Sequence, residues 1–528
     1  MLYMHKLRYV AGLLAIGSLL TLNACRETQQ QLSPQNIGGN ANARLSADFM
    51  FYVLTDNNQL LRLNTQNPAM TQATINVTGL PTNERLVGID FRPATGQLYG
   101  VSSGSRLYMI NLNSGVATAL GAGPFSPAIS GNAVGFDFNP TVDRIRLVTN
   151  QGQDLRLNPE TGTVAAVDGT INGAPNAAIT GVAYTNNRAG VTTTTLYDID
   201  PITDKLYRQD PPNNGTLAEV GPLGIDIAGT GSFDITPDGN AIATLIQGIT
   251  QGLYQINLTT GQAERLGNLP GQSIVGLAVP TEAVAYAVNG ANSLYIFNPQ
   301  TGGNLATKTI TGLQSGETIY GLDFRPANGQ LYALGSTSRL YTINTSNGMA
   351  TAVGSGPFSP ALPAGGGDFG FDFNPTVDRI RVVSNAGLNL RLNPNDGTVS
   401  ATDGSLAFSP ANPSTIPPNV TASAYVNNIA GAATTTLFGI DTRTGSAMLY
   451  QQNPPNAGTL VAVGSLGIEI EGANGFDVGG ASNMAYALLR SGGSTRVYSI
   501  NLASGAATPG ATFPVNTPVR GFALGLGF

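Results

Sequence analysis

The chain has 528 residues, 41% hydrophobic and only 11% charged, with 31 acidic against 25 basic side chains. That length suits two to four domains, and so little charge leaves Asn, Gln, Thr, Ser and Gly to cover the surface. The inventory holds no Trp, one Cys and one His, and that His5 lies at the extreme N-terminus. A Ser-His-Asp triad, a Cys-His dyad, a His-ligated zinc and a Cys-rich cluster are therefore excluded. Beyond residue 24 the balance is 23 basic to 31 acidic, so the basic footprint that nucleic-acid binding requires is missing.

Residues 1–24 open on His5-Lys6-Leu7-Arg8 and continue into an apolar run from Val10 to Leu22. Thirteen residues suit the core of a signal peptide and fall short of the roughly 20 that span a bilayer. The run ends in Leu22-Asn23-Ala24-Cys25, which resembles the bacterial lipobox, with Asn23 departing from its commonest pattern. Cys25 is thus expected to carry the lipid and become the new N-terminus. Ordinary secretory cleavage beside an incidental thiol is the alternative. An exported protein that folded through disulfides would show an even cysteine count, and two acyl chains anchor stably where one does not. Arg26 in place of Asp leans the destination to the outer membrane. Residues 25–47 are polar, with no hydrophobic period, and read as a flexible tether. Its roughly 22 residues would reach on the order of 25 Å.

The rest is a tandem duplication, read as 48–282 and 283–528. Gly135–Arg146 (GFDFNPTVDRIR) is identical to Gly370–Arg381. Asp90–Ala94 (DFRPA) recurs at Asp323–Ala327, and Gly123–Ala128 (GPFSPA) at Gly356–Ala361. Within each half, an alternating β-rich run closed by Asn or Asp and a Gly-containing turn begins at Leu60, Leu107, Leu155, Leu196 and Leu253. The second half repeats it from Leu294, Leu340, Leu390, Leu437 and Val497. Period-2 alternation ending where Gly supplies positive φ is hairpin chemistry. Each hairpin follows two further strands, such as LVGIDFRP and QLYGV, making four per unit, and no stretch has a helical period. The expectation is an all-β protein of two tandem five-bladed β-propellers. One ten-bladed ring is the alternative, and a β-solenoid a remoter one. Each half begins without its leading strand, at Phe51–Leu54 and Ala283–Val288. Ile274–Pro280 and Val519–Leu524 at the ends of the halves are expected to supply it and remove the open edge.

The combination of G-[IL]-D-F-R-P-A, G-Q-L-Y, G-P-F-S-P, G-F-D-F-N-P-T-V-D-R-I-R and L-R-L-N-P resembles the bacterial domain-of-unknown-function family numbered 4394, in two copies from about Phe51 to Phe528. The resemblance implies an exported, propeller-like domain and brings no activity, substrate or catalytic residue.

One register carries acids: Asp90, Asp137 and Asp234 in the first half, and Asp323, Asp372 and Asp477 in the second. Ala183, Ala278, Ala424 and Ala523 take the remaining places. If these strands line a channel, three carboxylates per half converge there. They would then raise one another's pKa or hold a hard cation such as Ca²⁺, or serve as paired acids for glycoside hydrolysis. The plainer reading is that each accepts backbone N–H groups from the neighbouring strand. Asp143-Arg144 and Asp378-Arg379 read as turns, with Asp capping turn N–H groups and Arg exposed. Phe125 and Phe358 read as packing plugs rather than a ligand-facing rim. The functional expectation is a cell-envelope lipoprotein, held to the membrane through its anchor, that serves as a non-enzymatic binding or scaffold module for a protein or glycan. A carbohydrate-active enzyme using the channel carboxylates is the alternative, and a self-associating coat component a third.

Overall fold

The structure, a computed structural model, describes residue 45 and residues 48–528 apart from 230, 364–366, 412, 444 and 446. The expected leader at 1–24, Cys25 and the tether other than residue 45 lie outside the described residues. Leu45–Phe528 is a single compact unit. The described residues hold no α-helix, only two short 3-10 turns at Pro212–Asn214 and Pro455–Ala457. The strands form ten antiparallel sheets, five in each half, nine of four strands and one with a fifth. That fifth strand, Ala407–Phe408, runs parallel beside Thr459–Ser465.

The recurring Asn-x-x-x-Gly turn explains the hairpins. Asn111 Oδ1 accepts the N–H groups of Asn113 and Ser114 at 2.8 and 3.1 Å, and the Gly115 N–H returns to the Asn111 carbonyl at 2.7 Å. Gly115 sits at φ 76°, where a side chain would be strained. The same side-chain bonds recur at Asn257 and Asn501.

Each sheet has a lead strand carrying the motif Asp or Ala, with Gly two places before it in all but Ser232–Ile235 and Val420–Tyr425. In the first half these are Leu86–Phe91, Val134–Asn139, Gly181–Tyr184, Ser232–Ile235 and Ile274–Ala278. In the second they are Ile319–Arg325, Phe369–Asn374, Val420–Tyr425, Glu471–Val478 and Val519–Leu524. Ile274–Ala278 pairs with Met50–Thr55 and Val519–Leu524 with Ala285–Asn289, so the last strand of each half completes that half's first sheet. Lead strands pack on one another in chain order, and Ile274–Ala278 and Val519–Leu524 pack back on Leu86–Phe91 and Ile319–Arg325.

The sheets share hydrophobic cores face to face. The Tyr of one sheet's second strand meets the Phe that follows the motif Asp of the next sheet. Tyr99 and Phe138 are edge to face at 5.1 Å, as are Tyr332 and Phe373. Phe125 and Phe358 are buried plugs in these cores.

Candidate functional site: two buried carboxylate clusters

The register brings the six acids together in threes. One carboxylate oxygen each from Asp90, Asp137 and Asp234 lies within 4.8 Å of the other two, and the same holds for Asp323, Asp372 and Asp477. None faces solvent, each being 0–1% exposed. Five of the six oxygens in each half accept backbone N–H groups. Asp90 accepts the N–H of Phe91 and, from the next lead strand, that of Phe138, both at 2.7 Å. Asp234 does the same with Ile235 and Val279 at 2.6 Å. Asp137 takes the Tyr184 N–H at 3.0 Å through Oδ1 alone. The second half repeats every bond: Asp323 with Phe324 and Phe373, Asp372 with Tyr425, Asp477 with Val478 and Leu524. Each carboxylate thus joins two neighbouring sheets.

Glycines bring the strands this close. A Cβ on Gly88 would stand 2.8 Å from Phe136 Cβ, and one on Gly475 2.3 Å from Phe522 Cβ. The sequence expectation of a channel lined by carboxylates is therefore altered: the axis is packed, and the space above the acids in the first half is about 10 Å³.

Burial raises the pKa of all six acids above the usual carboxylate range. Repulsion from Asp234 adds to this at Asp90, and from Asp90 and Asp234 at Asp137, while the backbone N–H bonds pull back only partly. Asp234 and Asp477 are pushed up to about 7 by burial, against the pull of two N–H bonds each. Groups so placed share protons rather than ionise together. For Ca²⁺, the 4.8 Å spread is compatible with oxygens on opposite sides of one ion. In each half, however, five of the six carboxylate oxygens already accept backbone N–H groups, far from the 6–8 free oxygens that ion takes. The donor set does not fit Ca²⁺.

Two charged clusters escaped the sequence reading. Asp143, at φ 51°, does not cap its turn: its carboxylate takes the guanidinium of Arg92 in two bonds of 2.9 and 2.5 Å. Arg92 is fully buried and also reaches Glu160 at 3.2 Å and the Gly329 carbonyl of the other half at 2.8 Å. Arg325 pairs with Asp378 in the same way. The signal was present as Arg in DFRPA and Asp in NPTVDR, both repeated. Likewise Arg146 joins Asp154, Asp168, the Tyr184 hydroxyl and Asn213. Arg381 repeats that set with Asn389 in place of Asp154. A cavity of about 240 Å³ lies between the halves, lined by Leu98, Met109, Leu112 and Val116 of the first and Ile429 and Leu526 of the second.

None of the curated proteins matches this chain. A solved structure titled "Structure of U3-55K" is similar at 9% identity over 78% of this chain and 90% of that one, with a TM-score of 0.23 that carries nothing about fold or role. The sequence profile of the domain of unknown function DUF4394 matches twice, over residues 59–278 and 286–523. With nearly all of the described residues inside those two matches, the chain belongs to the DUF4394 family, as two tandem copies of its domain.

Proposed function

We propose that this protein is a non-enzymatic binding or scaffold module of the cell envelope. In this reading it is anchored through acyl chains on Cys25 and built as two five-bladed β-propellers that offer a face to a protein or glycan. The propeller reading is supported by five sheets per half, by lead strands packed in chain order with the last against the first, and by the completion of each first sheet from that half's end. Export and anchoring rest on the leader and the position of the single cysteine.

The observation that carries the non-enzymatic reading is the state of the six aspartates. A glycosidase needs two carboxyl groups flanking an accessible bond, about 5 to 9.5 Å apart. Here the acids are buried and spend their oxygens on backbone N–H groups of adjacent sheets. They act as pins between strands. The test is capture from envelope extract with the lipid-free mature form as bait, beside a screen for reducing-end release from polysaccharides. Specific capture without release is expected; release abolished by Asp137→Asn or Asp372→Asn would overturn the reading. Metabolic labelling with a fatty-acid probe tests the anchor, and label persisting in Cys25→Ala would sink it.

A further inference from the structure

The duplication supplies an internal control for function, because equivalent positions can be compared between halves. Three residues before each motif Asp or Ala, in or just ahead of the lead strand, each sheet places one residue at an equivalent position. In the first half these are Val87, Val134, Thr180, Gly231 and Val275, lining one small space of about 30 Å³. Arg85 and Asn132 also line that space, but no aromatic ring stands at this level in the first half. In the second half the same level reads Tyr320, Phe369, Thr421, Asn474 and Arg520.

These five side chains are organised. The Tyr320 and Phe369 rings stack at 5.0 Å with 14° between their planes. The Arg520 guanidinium lies over the Tyr320 ring, 5.4 Å from its centroid. Asn474 Nδ2 donates to Thr421 Oγ1 at 2.9 Å. Two residues further along the Val420–Tyr425 strand, the buried Ser423 hydroxyl has no partner, where the first half has Val182. Gly370 makes room for it, since a Cβ there would stand 2.4 Å from Ser423 Oγ. Ser423, Asn474, Arg520 and Phe369 line a common space of about 10 Å³, as small as its first-half counterpart, so a ligand would rest over it rather than enter it.

Among the described residues Arg520 has no carboxylate partner, in a chain with more acids than bases. A stacked guanidinium keeps its in-plane donors free and is suited to grip a carboxylate with two parallel bonds. The aromatic edges offer apolar surface, while Asn474 and Thr421, 2% and 1% exposed, are bonded to each other beneath them. The geometry points to a binding site at this end of the second half for an acidic sugar, a uronate unit of a polysaccharide, with Arg520 on its carboxylate. This rests on the binding-module reading and gives it a ligand class and a location; the first half carries no such site.

The test is titration calorimetry of the purified protein with tetragalacturonate, a neutral tetraglucoside and inorganic phosphate. Tetragalacturonate alone should bind. Arg520→Gln should weaken it at least about tenfold, roughly 1.4 kcal/mol, while Val275→Ala at the first-half counterpart leaves it unchanged. Tyr320→Phe, which keeps the stack, should bind as the parent does, whereas Tyr320→Ala should lose part of the affinity. Melting temperatures of the variants exclude misfolding as the cause. Equal binding by Arg520→Gln, equal binding of the neutral sugar, or phosphate competing as well as the uronate would each overturn the site. No heat with tetragalacturonate would also remove it. Positive capture from envelope extract would then leave the wider binding-module reading standing.

Discussion

At the scale of single residues, the number of N–H bonds each aspartate accepts decides what it tolerates. Asp137 accepts through Oδ1 only, so Asp137→Asn keeps its acceptor and removes a carboxyl group whose charged form burial disfavours. Unfolding by urea should find it within about 0.5 kcal/mol of the parent or more stable. Asp234 uses both oxygens. Asp234→Asn turns an NH₂ group against a backbone N–H and should cost about 1–3 kcal/mol. Titration follows from the same burial. The folded pKa of Asp234 and Asp477, about 7, is raised from the ordinary 3.8, so folding takes up protons there. Their stabilising contribution is complete below about pH 4 and is lost as pH rises through 7. Asp403 works the other way. Burial disfavours its charge, but hydrogen bonds from Arg391 and Arg381 outweigh that and hold its pKa low. Its contribution is present above the ordinary carboxylate range and fades as pH falls. The melting temperature should therefore peak on the acidic side of neutral and decline from pH 5 to pH 8, with no recovery on adding Ca²⁺. A curve that rises to pH 8, or Ca²⁺ restoring the pH 8 value, would contradict proton sharing.

At the scale of strands and sheets, the glycine two places before the motif acid matters as much as the acid. Adding a methyl group at Gly475 meets Phe522 Cβ at 2.3 Å and its backbone nitrogen at 2.8 Å, and neither can swing aside. Gly475→Ala should cost about 1–3 kcal/mol through overpacking. Gly271, whose Cβ would meet nothing within 4 Å, provides the contrast: Gly271→Ala should be neutral within about 0.5 kcal/mol. Equal losses at the two sites, measured by chemical denaturation, would refute close approach of the lead strands. The strands themselves and their turn residues were legible in the sequence, because alternation and Asn-Gly turns are local. The clash that makes Gly475 necessary was not, because Phe522 arrives from a strand 47 residues away.

At the scale of the whole molecule, the two halves are tied by buried polar contacts. Arg92 donates to the Gly329 carbonyl at 2.8 Å while gripping Asp143 and Glu160. The Tyr286 hydroxyl donates to the Ala94 carbonyl at 3.0 Å, and Gln330 reaches Glu160 at 3.2 Å. Arg92→Leu would leave the buried Asp143 and the half-buried Glu160 without their cation and should cost about 3–5 kcal/mol. Calorimetry of the parent should give one unfolding transition, and the variant two as the halves uncouple. A parent with two transitions would refute the coupling.

The duplication, the all-β class, ten hairpins and the placement of the acids in one register followed from the amino-acid order alone. Each is a pattern repeated along the chain, and a period-2 strand puts equivalent residues at equivalent heights. Only the tertiary structure decided what those acids bond to, that the axis is packed by glycines, and that Arg92 crosses to a carbonyl 237 residues away. It likewise decided that Tyr320, Phe369 and Arg520 stack at one end of the second half. These depend on which atoms of distant strands come within 3 to 6 Å of each other, and no local preference encodes such a distance.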